Sequence, residues 1–339
     1  MKGATIRDVA RAADVSVATV SRTLNGIDKV AGITRERVLR IVHELDYVPH
    51  SGARALSTRR TDTIGVLLPD LYGEYFSELI RGIDIAARAR GLHLLLSSSH
   101  GDPAEAAAAL RAMRSRVDSI IVMLPDVDEA LLLSRKGSVP MVFLGSAAND
   151  DHPSFEIDNF AGAFAITRHL LDSGRGRIAF VAGPAGNFEA RERLRGYRAA
   201  IESAGGCERV VAGDFSEQSG RAAAGELVGG ARPDAIFCAN DMMAIGCLVA
   251  LREAGVRIPE DIALAGFDDI PIARYVSPAL TTAAVPIAEI GRRALECCVE
   301  LIAGRPTERR HLFQPVLAVR ESTRPTHSSL HPGSKGEKS

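Results

Sequence analysis

From residue 63 to residue 285 the chain alternates short, nearly continuous apolar runs with amphipathic stretches of ten or more residues, and few folds accept that order. A strand that is apolar on both faces has to be covered on both. Connections this long hold a helix, so the pattern predicts parallel βαβ units. The runs read as strands over 63–68, 92–97, 119–124, 141–144, 177–182, 210–212, 235–238, 262–265 and 280–285. The stretches around them read as helices over 74–90, 103–115, 161–173, 190–204, 216–228, 242–254 and 287–303. Nine strands are many for one open sheet, and an interruption near 156–160 divides them into two similar subdomains. The polar stretch 57–62 reads as a linker. The tail from Pro325 lacks apolar residues beyond Leu330 and is expected to be disordered.

The first sixty residues differ in character. They hold eleven Lys/Arg against six Asp/Glu, while the remainder holds 30 against 36. A basic head on an acidic body points to a polyanionic partner for the head. Thr5-Ile6-Arg7-Asp8 fits a capping box, after which Ile6, Val9, Ala10 and Ala13 share one helical face. Asp14-Val15 reads as a turn, and Ser16 as the N-cap of a second helix with Val20 and Leu24 inward. Thr34 reads as the cap of a third helix over 35–45, with Val38, Ile41, Val42 and Leu45 closing a small core. Two short helices across so tight a turn have helix-turn-helix spacing. The outward side of the second helix carries Val17, Ala18, Ser21, Arg22 and Asn25, with no acid from 16 to 25 to repel phosphate. Arg22 suits bidentate donation to guanine, and Val17 and Ala18 suit contact with thymine methyls. Thr5, Ser16, Thr19, Ser21, Asn25, Thr34 and Tyr47 offer hydroxyls or amides to the DNA backbone.

Ligands of parallel sheets bind beyond the carboxyl ends of the strands. Polar and aromatic residues gather there: 70–76 after the first strand, Phe215, Asn240-Asp241 and Asp268-Asp269, with Arg191 opening a helix. Acids, an amide and a guanidinium suit sugar hydroxyls, and aromatic rings suit apolar sugar faces. Taken singly, Asn240 and Asp241 read equally well as a helix cap, and Arg191 as a surface ion pair. Enzyme motifs fail: GxxxxGK[ST], GxSxG, HExxH and the kinase set are absent from the sequence. A GxGxxA match at Gly174–Ala179 precedes a strand instead of leading from one into a helix, so no helix N-terminus meets a pyrophosphate there. No catalytic residue, cofactor or metal site is expected. No apolar run reaches the ~18–20 residues of a membrane span, and the N-terminus has no signal-like apolar core. The five cysteines include no CxxC pair and read as buried hydrophobes of a reducing cytoplasm.

Two groups of motifs carry a resemblance. TIRDVARAADVSVATVSRTLNG, followed by VAGITRERVLRIVHELDYVPHSGARALST, resembles the N-terminus of the lactose/galactose repressor (LacI/GalR) family. DNFAGAFAITRHLLDSGRGRIAFVAGP, ARERLRGY, FCANDMMAIGCLVALREAGVRIPEDIALAGFDD and SPALTT are similar to the effector domain of that family, which shares the fold of periplasmic sugar-binding proteins. Together they span about residues 4–322. The resemblance implies a small all-α helix-turn-helix DNA-binding domain (1–50) and a hinge helix and linker (51–62). An α/β periplasmic-binding-protein-like effector domain of two parallel-sheet subdomains follows (63–324). The N-subdomain is expected over about 63–159 and 288–318, and the C-subdomain over about 160–287 and 319–324, with 325–339 as tail. The hinge helix would fall on 51–56, where Ala53 and Leu56 meet DNA and Leu56 wedges into the minor groove. His50 and Gly52 depart from the family pattern there. Arg191, Asn240 and Asp268 stand at the family's polar effector positions, and Tyr75, Phe76 and Phe215 at its aromatic ones.

The expectation is a cytoplasmic repressor, not an enzyme, that binds a palindromic operator as a homodimer and releases it when a small effector, a sugar or sugar derivative, closes the cleft. No heptad repeat follows Glu321, which favours a dimer over a tetramer. The alternatives are a purine or organic-acid effector, a solute-binding receptor without DNA function, or an α/β enzyme such as a sugar dehydrogenase. The basic head argues against the receptor, and the missing nucleotide fingerprint against the enzyme.

Overall fold

A computed structural model of the chain describes residues 4–24, 29–47, 60–124, 139–145 and 152–324. Asn25, Ala53, Leu56, the expected hinge helix and the tail lie outside the described residues. The chain divides into two units, a head of residues 1–63 with 116–118, and a body made of the rest.

The head holds α1 (Ile6–Ala12), α2 (Val17–Leu24) and α3 (Gly32–Glu44). Thr5 and Asp8 form the capping box, with the Thr5 N–H donating to Asp8 Oδ2 at 3.0 Å. Asp14 takes the left-handed conformation (φ 50°) that the tight turn requires, and Ser16 Oγ then accepts the Thr19 N–H at 3.1 Å. Val9, Ala10, Ala13, Val20, Val38 and Tyr47 form the core. Three details correct the sequence reading. Helix α3 starts at Gly32 with Ala31 at its N-cap, so Thr34 lies in the first turn and caps nothing. Leu45 follows the last turn of α3 and is exposed. Its place in the core is taken by Tyr47, whose N–H returns to the Val42 carbonyl.

The body contains two six-stranded sheets. The first has the order β2 (His93–Ser98), β1 (Thr63–Leu68), β3 (Ser119–Met123), β4 (Met141–Leu144), β5 (Ser154–Ile157) and β11 (Arg310–Phe313). The second runs β7 (Val210–Val211), β6 (Ile178–Val181), β8 (Ala235–Cys238), β9 (Ala263–Asp268), β10 (Thr281–Ala284) and β12 (Val316–Ala318). The described ladders are parallel except β12, which lies antiparallel on β10. The first subdomain carries α4 (Glu74–Arg88), α5 (Pro103–Met113) and α10 (Ile287–Ile302), and the second α6 (Asn159–Asp172), α7 (Phe188–Ser203), α8 (Glu217–Gly229) and α9 (Asp241–Glu253). The chain passes between the subdomains three times: at Asp158, between β10 and α10, and at Gln314-Pro315. The last crossing precedes β12, so 316–318 belong to the second sheet and not to the first.

Every strand read from the sequence is present, and β5, β11 and β12 are additional. Strand β5 escaped because Glu156 interrupts its apolar run. That side chain is buried, accepts from Ser154 Oγ at 2.9 Å and pairs with Arg310 of β11 at 2.8 Å. Strands β11 and β12 are edges with exposed positions and lack a two-sided apolar pattern. The GxGxxA stretch is a helix-to-strand turn in which Gly174 follows α6 at φ 82°. No described helix is long and apolar enough to cross a membrane.

Helices α4 and α10 approach so closely that a methyl on Gly82 would stand 2.0 Å from the Ala288 carbonyl oxygen. Because the obstacle is backbone, Gly82→Ala is expected to cost about 1–3 kcal/mol. Gly225, exposed in α8 with nothing within 4 Å of an added methyl, is the control. Gly225→Ala should gain about 0.5–1 kcal/mol. Urea unfolding of the two variants beside the parent checks both signs.

Candidate ligand cleft and nucleic-acid interface

In the head, α2 opens without an acid in its first turn. No side-chain carboxylate therefore offsets the positive end of its dipole. Ser16, Val17, Ala18 and Arg22 are exposed, while Thr19 and Ser21 are half-buried. Thr19 Oγ1 is 2.9 Å from Ser16 Oγ, so the two hydroxyls share the cap. Thr5 Oγ1 donates to Asp8 at 2.6 Å, and Thr34 is half-buried in α3. Tyr47 belongs to the core, which corrects its reading as a surface hydroxyl.

In the body, a cavity of about 500 Å³ opens at the carboxyl ends of both sheets. From the first subdomain come Asp70, Glu74, Tyr75 and Phe76, after β1, and Met123, which ends β3. From the second come Asn187, Glu189 and Arg193 after β6, Phe215 after β7, Asn240 after β8, and Asp268 at the end of β9. Two hydrogen bonds join the lips. Glu74 Oε2 accepts the Ile272 N–H at 3.0 Å, and the Tyr72 hydroxyl donates to Glu217 Oε1 at 3.4 Å.

The floor is a buried charge cluster. Arg193 is 3% exposed, donates from Nε to Asn159 Oδ1 at 2.7 Å and from Nη1 to the Ala239 carbonyl at 2.6 Å, and stacks 3.9 Å from the Phe267 ring centre. Its Nη2 lies 3.1 Å from Asp268 Oδ1. That is an ion-pair approach, not an aligned bond, since this oxygen has no hydrogen-bond partner among the described residues. Asp268 sits at φ 109°, a conformation costly for any residue with a side chain. Burial pushes its carboxyl up to about 7, against the pull of Arg193. Burial likewise raises Glu189, opposed by Arg193 and Asn159. Burial, with the Glu189 and Asp268 carboxylates nearby, holds the Tyr75 phenol well above its ordinary range, so it keeps its proton and stays a donor.

Tyr75, Phe76, Phe215, Asn240 and Asp268 line this cavity, as read from the sequence. Asn240 does two things at once: it caps α9, accepting the Met243 N–H at 3.0 Å, and ties down Phe215 by donating to its carbonyl at 3.0 Å. Arg191 does not line the cavity. It is exposed, and its Nη1 donates to the Ala185 and Gly186 carbonyls. Two residues along a helix is a turn of about 200°, so Arg191 and Arg193 face opposite ways. The residue the sequence reading missed is Arg193, and with it Glu189. The signal was present: Ala190, Arg193, Tyr197 and Ile201 recur at helical spacing, and all four are buried.

Because the fold holds the Asp268 proton to about 7 while an unfolded carboxyl releases it near ~3.9, this group favours folding fully at low pH, and the contribution is lost as pH rises toward 7. Asp268→Asn removes the titration. Its melting temperature relative to the parent is therefore expected to climb between pH 5 and pH 8. A constant difference across that range contradicts the assignment.

Residues 5–50 match the family described as bacterial regulatory proteins, lacI family, and 167–323 match the periplasmic binding protein-like domain. The chain is 36% identical over 330 residues to the HTH-type transcriptional repressor PurR of Photobacterium profundum, covering 95% of this chain and 99% of that protein. It is 34% identical to the repressor of the same name from Vibrio vulnificus, with coverage of 95% and 99%. Among solved structures it is similar to the Lac repressor dimer bound to operator and the anti-inducer ONPF (29% identity, TM-score 0.83, coverage 95% and 99%). It is also similar to a CelR–cellobiose complex (34% identity, TM-score 0.70, coverage 94% and 99%).

Proposed function

The chain belongs to the lacI family of bacterial regulatory proteins, DNA-binding transcriptional repressors with an effector-binding domain, and from that premise we propose how it reads DNA and what it senses. It acts in the cytoplasm as a homodimer on a palindromic operator, because a single short reading helix per protomer covers only one half-site. Val17, Ala18, Ser21 and Arg22 on the outward side of α2 meet the major groove, Ser16 serves the DNA backbone, and Asn25, Ala53 and Leu56 complete the DNA contacts. Thr5, Thr19 and Thr34 serve the DNA backbone. The effector is a carbohydrate held in the cleft by Tyr75, Phe76, Phe215, Asn240 and Asp268, together with Arg193. The observation that carries this reading is the cavity itself: polar anchors on a fixed floor, flanked by rings, at the carboxyl ends of two parallel sheets. A ligand that binds the closed and open clefts with different affinity shifts the population of the DNA-binding state, and only that difference does so. A purine is the second reading, favoured by the four rings lining the cavity, Tyr72, Tyr75, Phe76 and Phe215, and by the repressors named PurR among the relatives.

Thermal-shift titration of the full chain with cellobiose, ribose, hypoxanthine and guanine separates the two readings, since a true ligand adds RT ln(1 + [L]/Kd) of stability. For the head, Arg22→Ala is expected to cost about 1–3 kcal/mol on an operator obtained by selection from random DNA, and to relax one base pair in each half-site. Unchanged affinity and preference would remove α2 from the groove. For the cleft, Asp268→Asn removes the charge but keeps the shape and an acceptor oxygen beside Arg193, whereas Asp268→Ala removes the charge, the shape and the acceptor together. Asp268→Asn is expected to bind operator normally while its effector affinity falls by about 1–3 kcal/mol. Operator titrations with and without effector measure both.

A further inference from the structure

The cleft is unbalanced in charge. Among the described residues, Asp70, Glu74, Glu189, Asp214, Glu217 and Asp268 line it, and Arg193 is the one cation. Most of these carboxylates have work within the fold. Asp70 Oδ1 accepts the Leu71 and Tyr72 N–H groups, and Asp214 Oδ1 accepts from Ser216. Glu74 and Glu217 join the cleft lips, and Asp268 faces Arg193. Arg193 is spent on Asn159, Ala239 and Asp268. Glu189 is only partly engaged: Arg193 and Asn159 act on its carboxylate against the cost of burial, and one of its oxygens stays open. It is 8% exposed, sits on the first turn of α7 and lines the cavity, and its Oε1 has no hydrogen-bond partner among the described residues. That oxygen lies against the end of β4 in the opposite subdomain, so near that a methyl on Gly145 would be 3.1 Å away. A buried acceptor left open at the junction of two subdomains is an unfilled valence for a donor arriving with the ligand.

We propose that Glu189 sets the charge of the effector: its Oε1 accepts a hydrogen bond from an N–H or O–H of an uncharged or cationic ligand, and its carboxylate shuts out acids and phosphate esters. The inference rests on reading the cleft as the effector site, and it narrows that reading to polyols, amino sugars and uncharged or protonated heterocycles. Tyr75, held in its donor form, faces the same space and serves the acceptors of such a ligand. An anion entering here would meet buried acceptors, with no free cation among the described lining residues to answer it.

The test uses the full chain in two arms. In the first, Glu189→Gln is melted without ligand at pH 8. Relief of an open buried charge is expected to leave the melting temperature unchanged or raise it by about 2–4 °C. A fall of that size would show that the carboxylate holds the fold, and would overturn the proposal. In the second, parent and Glu189→Gln are titrated with two matched sets: D-glucose, D-glucosamine and D-glucuronate, and adenine, hypoxanthine and AMP. The parent is expected to prefer the uncharged or cationic members of the set it binds by about tenfold or more over the anion, a margin that narrows in Glu189→Gln. An anion bound as tightly as its uncharged counterpart, or a margin unmoved by Glu189→Gln, overturns the proposal while leaving the cleft as the effector site. No binding of either set by a chain that still binds operator overturns the cleft reading, and this proposal falls with it.

Discussion

A guanidinium cannot discard its charge, so a buried arginine obliges its surroundings to supply acceptors. Arg193 imposes that demand on the body. Helix α7 delivers it inward, and four other places answer: Asn159 at the start of α6, the Ala239 carbonyl just past β8, the Phe267 ring and the Asp268 carboxylate at the end of β9. One side chain thereby registers two helices against two strands at the point where the cleft is deepest. Asp268 reaches the cation at the expense of its own hydration, and that burial raises its pKa against the pull of Arg193. The floor is held by groups of the protein itself.

How much of this was legible depends on which force each residue obeys. Central strands such as 119–123 and 235–238 are apolar on both faces, and the sequence states it directly. Edge strands obey a weaker rule, and β5 is concealed by Glu156, whose burial only makes sense once Arg310, 154 residues away, lies beside it. The cleft residues that end strands or begin helices, Asn240 and Asp268, stood out by position. Arg193 did not, because its resemblance to a solvated helix arginine hides a partner 75 positions distant. The confusion with Arg191 was one of helical phase. Motif matching placed the segment correctly and the wrong face forward.

The head was read more completely because its rules are local. Thr5 with Asp8, and Ser16 with the Thr19 amide, are contacts three residues apart, and three-residue contacts are visible in a string of letters. Its errors have the same origin. Thr34 is a plausible cap by composition, but α3 starts two residues earlier without any side-chain cap. Tyr47 has a hydroxyl that invites a surface role, yet the small core needed one more large ring and took it.

The three passages of the chain between the subdomains have a consequence for how a ribosome can deliver this fold. Strands β1 to β5 emerge first, but the helix that covers β3 and β4, α10, emerges only after the whole of the second sheet through β10. The outer strand β11, which pairs with β5, comes later still, and β12 closes the other sheet three residues beyond it. Neither half can therefore be finished ahead of the other, and both are completed by a stretch of nine residues, 310–318. Throughout elongation the nascent chain carries apolar strands that lack their cover, a period in which it depends on not meeting other such surfaces. Translation cut short before residue 310 leaves β5 and β10 as bare edges, so both sheets of the body stand open at once.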